Sequence, residues 1–535
     1  MLYPLRTLAR RALVPAVLLA LAAAGAGAQE FRPAFTVIQL NDVYRIDAVE
    51  NGTAGGLGRI ATLAERTRRE MRAPVMILHA GDFIAPSLES RYFAGLQMID
   101  ALNFLHARAP LLAVPGNHEF DERRPEMLVG AVNASRFPWL ATNVRLRTGN
   151  AEADRRFVRD TVLTVGGMRV GVFALTFLDS PRSYAEADTA YVALAEEAIR
   201  RLEAAGAEAI VALTHLELAD DRRIARLRAR HPRFLWIAGG HEHYLIQEAL
   251  TDSTALITKG DSNARRVWRV ALGRRGGEPA VHTDSVRIDA SLASDPAYVR
   301  EVEAKYREEI RRRVPFFGAQ VGASSTPLDG REETVRDAES NWGNYLADVM
   351  RTAFPDVRTD AAVLNGGAIR IDDVVQGPIR WEHLQRTFGF PTRVALVWLR
   401  GRDVKQTLLE QSVSGGRGEG RFLQVSGIRF TFDRSRRVGD RVTRVEMQQG
   451  SGWAPLEDDR VYVVAVPDYL YGGGDAYHFK DRAILTVPPG PDLKLLAFDA
   501  LSAAFARGES IAPRAEGRIT EVRFPAPSRS PTGGR

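Results

Sequence analysis

Short apolar runs alternate with amphipathic stretches between Phe35 and about Leu250, and this alternation constrains the fold more than any other feature. The runs are FTVIQL, VMILHA, LLAVP, RVGVFAL, IVALTH and FLWIAGG. Their length and composition are typical of buried strands. Between them, LGRIATLAERTRREM and VALAEEAIRRLEAAG place apolar residues at helical spacing. We therefore predict a layered α/β domain in which helices cover β-sheets.

A chain of 535 residues is too long for one hydrophobic core, so a second domain is expected. Strand-like runs recur at AAVLNGG, RVALVWL, GIRFTFD and VYVVAV, which predicts a further α/β unit from about Val321 to Phe524. Residues 294–313 are charged and helical in pattern, and the Ser-Asp-Pro at their start is typical of a helix N-terminus. They form either a linker helix or a surface helix of one domain.

The first 28 residues have the pattern of an export signal. Arg6, Arg10 and Arg11 precede an apolar run from Ala12 to Ala24, and Ala26-Gly27-Ala28 offers a cleavage site. A membrane anchor is the alternative, but the apolar run is short for a bilayer span. We predict cleavage near Ala28 and a periplasmic or secreted protein without a stable membrane anchor.

Composition limits the partners and the kind of metal site. The chain has no cysteine, so any metal site would use oxygen and nitrogen ligands. The net charge of +6 falls to +3 once the three arginines of residues 1–28 are removed, an excess too small for a general binder of nucleic-acid polymers. The domain prediction is a signal peptide (1–28), a first α/β domain (29–290), a linker helix (291–316), a second α/β domain (317–524) and a disordered tail (525–535).

Five of the strand runs in the first domain end directly in side chains that can bind metals. These are Asn41-Asp42-Val43-Tyr44, Gly81-Asp82, Gly116-Asn117-His118-Glu119-Phe120-Asp121, Thr214-His215 and His241-Glu242-His243. A lone Gly-Asp is usually a turn, and a lone His is more often structural than a ligand. Ligands nevertheless gather at the carboxyl ends of strands in open α/β sheets. The five together therefore predict one metal-binding crevice.

This ordered set of motifs resembles the calcineurin-like metallophosphatases, and the Gly-Asn-His-Glu-Phe-Asp form resembles their 5′-nucleotidase branch. The resemblance covers nearly all of the chain after the signal. It implies a layered α/β metallophosphatase domain, a linker helix and a separate α/β C-terminal substrate-binding domain. It also implies two divalent metal ions (Mn, Zn, Mg or Co), which neutralise phosphate charge and generate hydroxide from water.

The resemblance also assigns roles to single residues. Asp82 would bridge the two ions, Asp42 and His243 would hold one, and Asn117, His215 and His241 would hold the other. His118 and Asp121 would form a catalytic dyad, in which His118 stabilises the transition state or protonates the leaving alcohol and Asp121 orients the imidazole ring.

The first motif departs from the family pattern. Relatives usually carry Asp-x-His, whereas the third residue here is Tyr44. Positions 42 and 44 of a strand face the same side, so Tyr44 is expected to point toward the site. Either Tyr44 surrounds the site while other groups or water complete the coordination, or its phenolate is a ligand that favours ferric iron. Some relatives carry Gln at the position of His243.

The second domain resembles the 5′-nucleotidase C-terminal domain in four segments. They are Arg336 before Asn341-Trp342-Gly343-Asn344, Asn365 to Arg370, Trp381 to Phe390, and Asp468 to Asp475. By resemblance, Arg336 and Arg370 would bind phosphate, Asn365 the nucleoside, Phe390 and Tyr469 the faces of the base, and Asp475 the ribose hydroxyls. The alternatives are a surface ion pair for Arg336 and plain core packing for Phe390 and Tyr469. Pro391 and Thr392 depart from the family pattern and leave the base preference open.

These observations favour hydrolysis of nucleoside 5′-monophosphates, with other nucleotides as further substrates. A 2′,3′-cyclic phosphodiesterase with 3′-nucleotidase activity is the second hypothesis. A nucleotide-binding protein with a decayed metal site is the third, and a sulfur-ester hydrolase on the same scaffold is a remote fourth. No protein partner is indicated.

Overall fold

The computed structural model describes residues 30–522. The predicted signal peptide (1–28) and the predicted tail (525–535) lie outside the described residues. No helix within residues 30–522 is long and apolar enough to cross a membrane.

The first domain is a sandwich of two β-sheets. Its strands are β1 (Phe31–Leu40), β2 (Val75–Ala80), β3 (Leu111–Val114), β4 (Trp139–Leu140), β5 (Val144–Leu146), β6 (Phe157–Val158), β7 (Asp160–Val165), β8 (Met168–Thr176), β9 (Ala185–Ala187), β10 (Ala209–His215), β11 (Phe234–Gly239), β12 (Ile246–Glu248), β13 (Leu256–Lys259), β14 (Arg266–Arg275) and β15 (Glu278–Arg287). One sheet has the order β15-β14-β1-β2-β3-β4-β6 and the other β12-β13-β11-β10-β8-β7.

The inner strands of both sheets are parallel, which brings their carboxyl ends to the same side. Strands β1, β2 and β3 are neighbours in the first sheet, and β10 and β11 are neighbours in the second. Apolar side chains of the two sheets meet in one buried cluster, to which Val37 and Leu78 contribute from one side and Val211 and Trp236 from the other. The packing of the sheets therefore holds five predicted ligand-bearing strand ends at one edge.

Helices cover the outer faces of both sheets. The helices of this domain are α1 (Leu57–Met71), α2 (Leu88–Phe93), α3 (Leu96–His106), α4 (Glu126–Ala134), α5 (Ala151–Asp154), α6 (Tyr191–Ala204) and α7 (Leu218–Ala225). Helix α1 has the predicted bounds, and it packs with α3 and α4 in the cluster outside the first sheet. Helices α6 and α7 pack outside the second sheet.

The charged helix predicted between the domains packs on the first domain. It begins as α8 (Pro296–Tyr298), continues through a π-helical segment (Val299–Glu303) and ends as α9 (Ala304–Arg313). The Asp295 side chain caps it by accepting hydrogen bonds from two backbone N–H groups. Tyr298, Val302 and Ile310 are buried in the same cluster as α1. The helix thus covers the first domain before the chain enters β16.

The second domain contains a five-stranded sheet, a four-stranded sheet and a two-stranded ribbon. Its strands are β16 (Gln320–Asp329), β17 (Ala361–Asn365), β18 (Val374–Arg380), β19 (Val394–Arg400), β20 (Leu423–Ser426), β21 (Ile428–Phe432), β22 (Val442–Gln449), β23 (Gly452–Pro455), β24 (Val461–Pro467), β25 (Leu485–Val487) and β26 (Ile519–Glu521). The sheets have the orders β20-β17-β24-β19-β25 and β23-β22-β21-β26, and the ribbon pairs β16 with β18.

Helices pack on both sides of the five-stranded sheet. They are α10 (Glu332–Val335), α11 (Asn341–Arg351), α12 (Trp381–Thr387), α13 (Gly401–Asp403), α14 (Glu410–Ser412), α15 (Asp468–Tyr471) and α16 (Leu493–Ala506), with a π-helical segment (Val404–Leu409) between α13 and α14. Helices α11 and α16 form one apolar cluster with this sheet, and the π-helical segment joins the other. The predicted α/β architecture with two domains is confirmed.

Candidate metal centre and adjoining pocket

The predicted ligands of the first domain converge where the strands end. Ligand atoms of Asp42, Asp82 and His215 lie within 4.8 Å of one another. All three residues are buried, with 0%, 1% and 0% of their surfaces exposed. Asp42 follows β1, Asp82 follows β2 and His215 ends β10, so the cluster joins both sheets.

Tight backbone turns aim these side chains into the crevice. Asp42 and Asp82 both have left-handed backbone conformations, with φ of 52° and 57°. A Cβ atom on Gly116 would lie 2.1 Å from Oδ1 of Asp82, so this glycine permits the approach of the two loops. The strand-end motifs thus carry backbone features that the ligand geometry requires.

Asp82 lies at the middle of the cluster. Its Oδ1 accepts a hydrogen bond from the backbone N–H of His118 (3.0 Å), and its Oδ2 lies 3.4 Å from Nε2 of His215. His215 donates from Nδ1 to the carbonyl oxygen of Ala80 (2.8 Å), which leaves Nε2 free to face the cluster. Oδ1 of Asn117 lies 2.9 Å from the same Nε2. Asp82 therefore contacts the side of the cluster formed by Asn117 and His215.

Tyr44 and His243 form the other side. The Tyr44 hydroxyl lies 3.1 Å from Oδ2 of Asp82, 3.1 Å from Nε2 of His243 and 3.4 Å from Oδ1 of Asp42. Nε2 of His243 lies 3.2 Å from Oδ1 of Asp42. Burial, together with the carboxylates of Asp82 and Asp42, raises the pKa of Tyr44 well above its usual value. Tyr44 does point into the site, and its phenol oxygen meets all three neighbouring candidate ligands.

His241 stands at the edge of the cluster. Its ring lies 5.4 Å from that of His215, centroid to centroid, and Nε2 lies 3.5 Å from a carboxylate oxygen of Glu217. The backbone N–H of His241 donates to Oδ2 of Asp42 (2.9 Å), so its loop is tied to the first motif. His241 is therefore close to the cluster, while its imidazole pairs with Glu217.

His118 and Asp121, which the family resemblance assigns to a catalytic dyad, are in direct contact. Nδ1 of His118 lies 2.8 Å from Oδ2 of Asp121, and Nε2 lies 3.8 Å from Oδ2 of Asp82. Burial disfavours the imidazolium, but the carboxylates of Asp121 and Asp82 outweigh it and raise the pKa of His118 to about 9. His118 is therefore an oriented imidazole beside the cluster, and its two carboxylate neighbours favour the protonated form.

Glu119 is a buried residue whose role the sequence reasoning missed. Its carboxylate accepts hydrogen bonds from the backbone N–H groups of Asp82 (2.9 Å), Phe83 (2.8 Å) and Ile84 (3.0 Å), and also from that of Gly116. It therefore ties the loop after β2 to the loop after β3. Burial and the neighbouring Asp82 raise the pKa of Glu119 to about 7. The sequence feature that could have indicated this role is the position of Glu119 inside the Gly-Asn-His-Glu-Phe-Asp motif.

Lys259 is a second residue that the sequence reasoning missed. It ends β13 and is fully buried. Its ammonium group donates to the carbonyl oxygens of Leu216 (2.7 Å) and Gly240 (2.9 Å), and it pairs with Asp221 (2.9 Å) and with Glu242. These carbonyls adjoin His215 and His241, so Lys259 braces the loops after β10 and β11. No sequence pattern marked it.

The two predicted phosphate-binding arginines approach the cluster from the second domain. Arg336 is buried, and its guanidinium lies 2.6 Å from the carboxylate of Glu332. The surface ion pair considered for Arg336 is therefore wrong, because both partners are buried at the domain boundary. Cζ of Arg370 lies 5.3 Å from the ring centroid of Tyr44 and 5.6 Å from that of Phe390. Arg370 thus lines a cavity beside the cluster with Tyr44 and Glu332, while Arg336 is held in its ion pair with Glu332.

The remaining predicted pocket residues lie in two places, Phe390 beside His118 and Tyr469 together with Asp475 and Asn365. The ring of Phe390 lies 5.8 Å from that of His118, which places Phe390 at the domain boundary. The Tyr469 hydroxyl donates to Oδ1 of Asp475 (3.1 Å), and Nδ2 of Asn365 lies 3.4 Å from Oδ2 of the same carboxylate. Tyr469 is 52% exposed, so plain core packing does not account for it.

The donor set fits divalent cations. Carboxylate oxygens, imidazole nitrogens and an amide oxygen are the ligands that such ions accept in a site without thiols. Burial disfavours the imidazolium of His215, yet Asp82 and Asp42 raise its pKa to about 10. The same two carboxylates would attract a metal ion, because their negative charge stabilises any cation bound in the cluster.

Comparison with known proteins identifies the family of both domains. Residues 35–245 match the family of calcineurin-like phosphoesterases, and residues 320–481 match the 5′-nucleotidase C-terminal domain. A 5′-nucleotidase of Homo sapiens is 26% identical over 95% of this chain and 95% of its own length. A snake venom 5′-nucleotidase of Gloydius brevicauda is 27% identical over 83% of this chain and 82% of its own. The solved structure of a 5′-nucleotidase precursor from Thermus thermophilus superposes with a TM-score of 0.75 at 26% identity, covering 92% of this chain and all of that one.

Proposed function

The chain belongs to the 5′-nucleotidase family of calcineurin-like phosphoesterases, metal-dependent enzymes that hydrolyse phosphoric monoesters, and from that premise we propose that it releases phosphate from nucleoside 5′-monophosphates. Di- and triphosphates and dinucleotides are further candidate substrates. One observation carries the proposal. Arg370, which lies over the ring of Tyr44, brings a guanidinium of the second domain to the edge of the Asp42–Asp82 cluster of the first.

The substrate would therefore lie across the domain boundary. Arg336 and Arg370 match phosphate oxygens, because a guanidinium presents planar, paired donors. Tyr469 and Phe390 offer aromatic faces for a base, and Asp475 with Asn365 offers hydrogen bonds for the nucleoside. In this arrangement the cluster and the two arginines would bind the phosphate, Asp475 and Asn365 the nucleoside, and the two aromatic rings the base.

Asp42, Asp82, His243, Asn117, His215 and His241 would hold two divalent ions, with Asp82 shared between them. When bound, the ions neutralise the phosphate oxygens and lower the pKa of water. His118 donates its Nε2 proton to the leaving ribose oxygen, and Asp121 keeps the ring oriented through Nδ1. Arg370 neutralises phosphate charge from the second-domain side of the cleft.

Tyr44 bears on which metal is used. Its hydroxyl lies among Asp42, Asp82 and His243, at hydrogen-bonding distances. As a phenol it would donate its single proton to one of these groups at a time, and as a phenolate it would replace the histidine of the usual Asp-x-His motif. A phenolate ligand to ferric iron absorbs visible light, so the spectrum of metal-analysed, active protein separates the two. Mn, Zn, Mg and Co remain the candidates if the spectrum is colourless.

We also place the activity outside the cytoplasm. The pattern of residues 1–28 predicts export, and the snake venom relative shows that a family member occurs in a secretion. N-terminal sequencing of protein from the periplasm or the medium tests the predicted cleavage near Ala28.

The test of the function is phosphate release from 5′-AMP by the metal-stripped protein, resupplied in turn with Mn²⁺, Zn²⁺, Mg²⁺, Co²⁺ and iron. Metal-dependent turnover supports the proposal. Parallel assays use 3′-AMP and 2′,3′-cyclic AMP. Faster turnover of these two substrates than of 5′-AMP would establish the cyclic phosphodiesterase alternative. Tight nucleotide binding without turnover under every metal would instead indicate the binding protein.

A further inference from the structure

Glu332 is a buried carboxylate of the second domain that contacts the metal centre of the first. It begins the short helix α10, directly after β16, and 7% of its surface is exposed. Its Oε1 lies 2.5 Å from Nδ1 of His243 and 2.6 Å from the guanidinium of Arg336. A single oxygen therefore joins a candidate metal ligand to a candidate phosphate-binding arginine.

The other oxygen of Glu332 binds the loop that supports His243. Oε2 accepts from the Ser262 hydroxyl and from Arg265 (3.3 Å). The backbone N–H of Ser262 donates to the carbonyl oxygen of His243 (3.1 Å). Glu332 thus holds both the ring and the backbone of His243, the ring directly and the backbone through Ser262.

A second carboxylate of the same domain supports this docking. Asp372 accepts from the backbone N–H of Glu332 (2.9 Å) through Oδ1 and from Nδ2 of Asn263 (2.8 Å) through Oδ2. Asn263 in turn accepts from the backbone N–H of Tyr44 (3.0 Å) and donates from its own N–H to the carbonyl oxygen of Asp42 (2.8 Å). The second domain is therefore hydrogen-bonded to His243 directly and to the Asp42–Tyr44 motif through Asn263.

The contact with Nδ1 determines what the other nitrogen of His243 can do. A ring that donates from Nδ1 to a carboxylate presents Nε2 as a lone pair, and Nε2 lies 3.2 Å from Oδ1 of Asp42. Carboxylates placed behind ligating histidines fix the ring and increase its basicity, and their loss commonly weakens metal binding ten- to hundredfold. In this protein that carboxylate comes from the other domain.

We infer that Glu332 is a positioning residue through which the docked substrate domain holds the metal ion at Asp42 and His243. The ion at this position is bound tightly when the two domains are arranged as here, and loosely when Glu332 is withdrawn. Because Glu332 also holds Arg336, the ion and the phosphate-binding arginine are ordered together. The inference rests on the proposed function in one respect, namely that His243 is a metal ligand.

The test is Mn²⁺ binding to the full chain without nucleotide, by competition with a chelator, for the wild type and the Glu332→Gln, Glu332→Asp and Glu333→Gln variants. Glu333 is the matched control, because it is adjacent, exposed and paired with Arg331. We expect Glu332→Gln to weaken one of two Mn²⁺ binding steps ten- to hundredfold and to leave the other within twofold. The Mn²⁺ affinity of Glu332→Asp, which keeps the charge, should lie between those of the wild type and Glu332→Gln. The Mn²⁺ affinity of Glu333→Gln should match that of the wild type.

Kinetics provide a readout that a general packing defect would not produce. With 5′-AMP, the loss of kcat in Glu332→Gln at limiting Mn²⁺ should be largely recovered by excess Mn²⁺. Folded Glu332→Gln and Glu332→Asp proteins that bind both ions like the wild type would overturn the inference. If one variant does not fold, the other decides by the same criterion. Weakened Mn²⁺ binding in a chain whose wild type does not hydrolyse 5′-AMP would instead refute the substrate proposal and leave this inference standing.

Discussion

The metal side of the cleft and the pocket side are built by different means. Asp42, Asp82 and His215 are almost completely buried and hydrogen-bonded to backbone and side chains of their own domain. Tyr469 is half exposed, and its described polar contact is with Asp475. The first region is organised before a ligand arrives, whereas the second leaves aromatic surface open for one. Preorganised charge favours chemistry, and open aromatic surface favours tolerant binding.

If the metal side carries the chemistry, Asp82→Asn should cause the largest loss. If Asp82 is shared between two ions as proposed, its removal would weaken both positions. The several kcal/mol of stabilisation that such ions supply correspond to a fall of about 10³-fold in kcat. Phosphate release from 5′-AMP at fixed Mn²⁺ measures it. The exposed Asp499→Asn is the control and should keep full activity. An Asp82→Asn protein within tenfold of the wild type would contradict the metal mechanism.

The next prediction distinguishes the role of His118, proposed as the general acid, from that of Asp121, proposed to orient its ring. His118→Asn should lower kcat by about 10²- to 10⁴-fold, since it removes the proton donor. Asp121→Asn keeps the imidazole but loses its charged partner at 2.8 Å, and a loss of about 10- to 100-fold is expected. Steady-state kinetics of both variants test the order. Equal losses would mean that the two residues act as one unit rather than as acid and support.

A change in the pocket should affect binding more than chemistry. Tyr469→Ala removes a stacking face worth about 1–3 kcal/mol, so KM for 5′-AMP should rise by about 5- to 150-fold with kcat nearly unchanged. Tyr469→Phe keeps the ring and should remain within a few-fold of the wild type. A Tyr469→Ala variant that loses kcat instead would show that the two regions are not separable in this way.

The smallest predicted effect is on the stability of the folded protein, and it comes from a buried histidine near the metal-binding cluster. His79 is fully buried beside Phe83, and burial lowers its pKa to about 3, so the imidazole folds neutral. Below the unfolded pKa of about 6.5 the unfolded state binds a proton that the folded state does not, so stability falls as the pH falls from about 6.5 toward 3. At pH 5 this amounts to about 2 kcal/mol.

The variant His79→Leu removes that proton while filling a similar volume. The free energy of unfolding is measured with urea at pH 7 and at pH 5 for both proteins. Its decrease between the two pH values should be about 2 kcal/mol smaller in His79→Leu than in the wild type. Parallel pH dependences for the two proteins would mean that His79 is not neutral in the folded state, and that the metal side is less tightly closed than its exposure indicates.

Local patterns in the sequence were sufficient for the architecture and for the strand-end motifs. Helix α1 has the predicted bounds because its apolar residues recur at helical spacing, and β2, β10 and β11 were visible as continuous apolar runs. Strand β14 and its neighbour β15, which forms the edge of the first sheet, were not among the predicted runs. Strand β15 is mostly exposed, and alternation on an open edge gives a weaker signal than a buried run.

The sequence by itself determined the α/β layers and the order of the ligand motifs, since these follow from patterns within short stretches of chain, and the family resemblance added the pair of His118 with Asp121. Only the tertiary structure decided that Glu119 ties two loops, that Lys259 braces two more and that Glu332 reaches His243 across 89 positions of the chain. These three are charged residues whose partners are backbone groups or distant side chains. Neither kind of partner leaves a periodic pattern, because what brings them together is the packing of sheets and domains rather than the local chain.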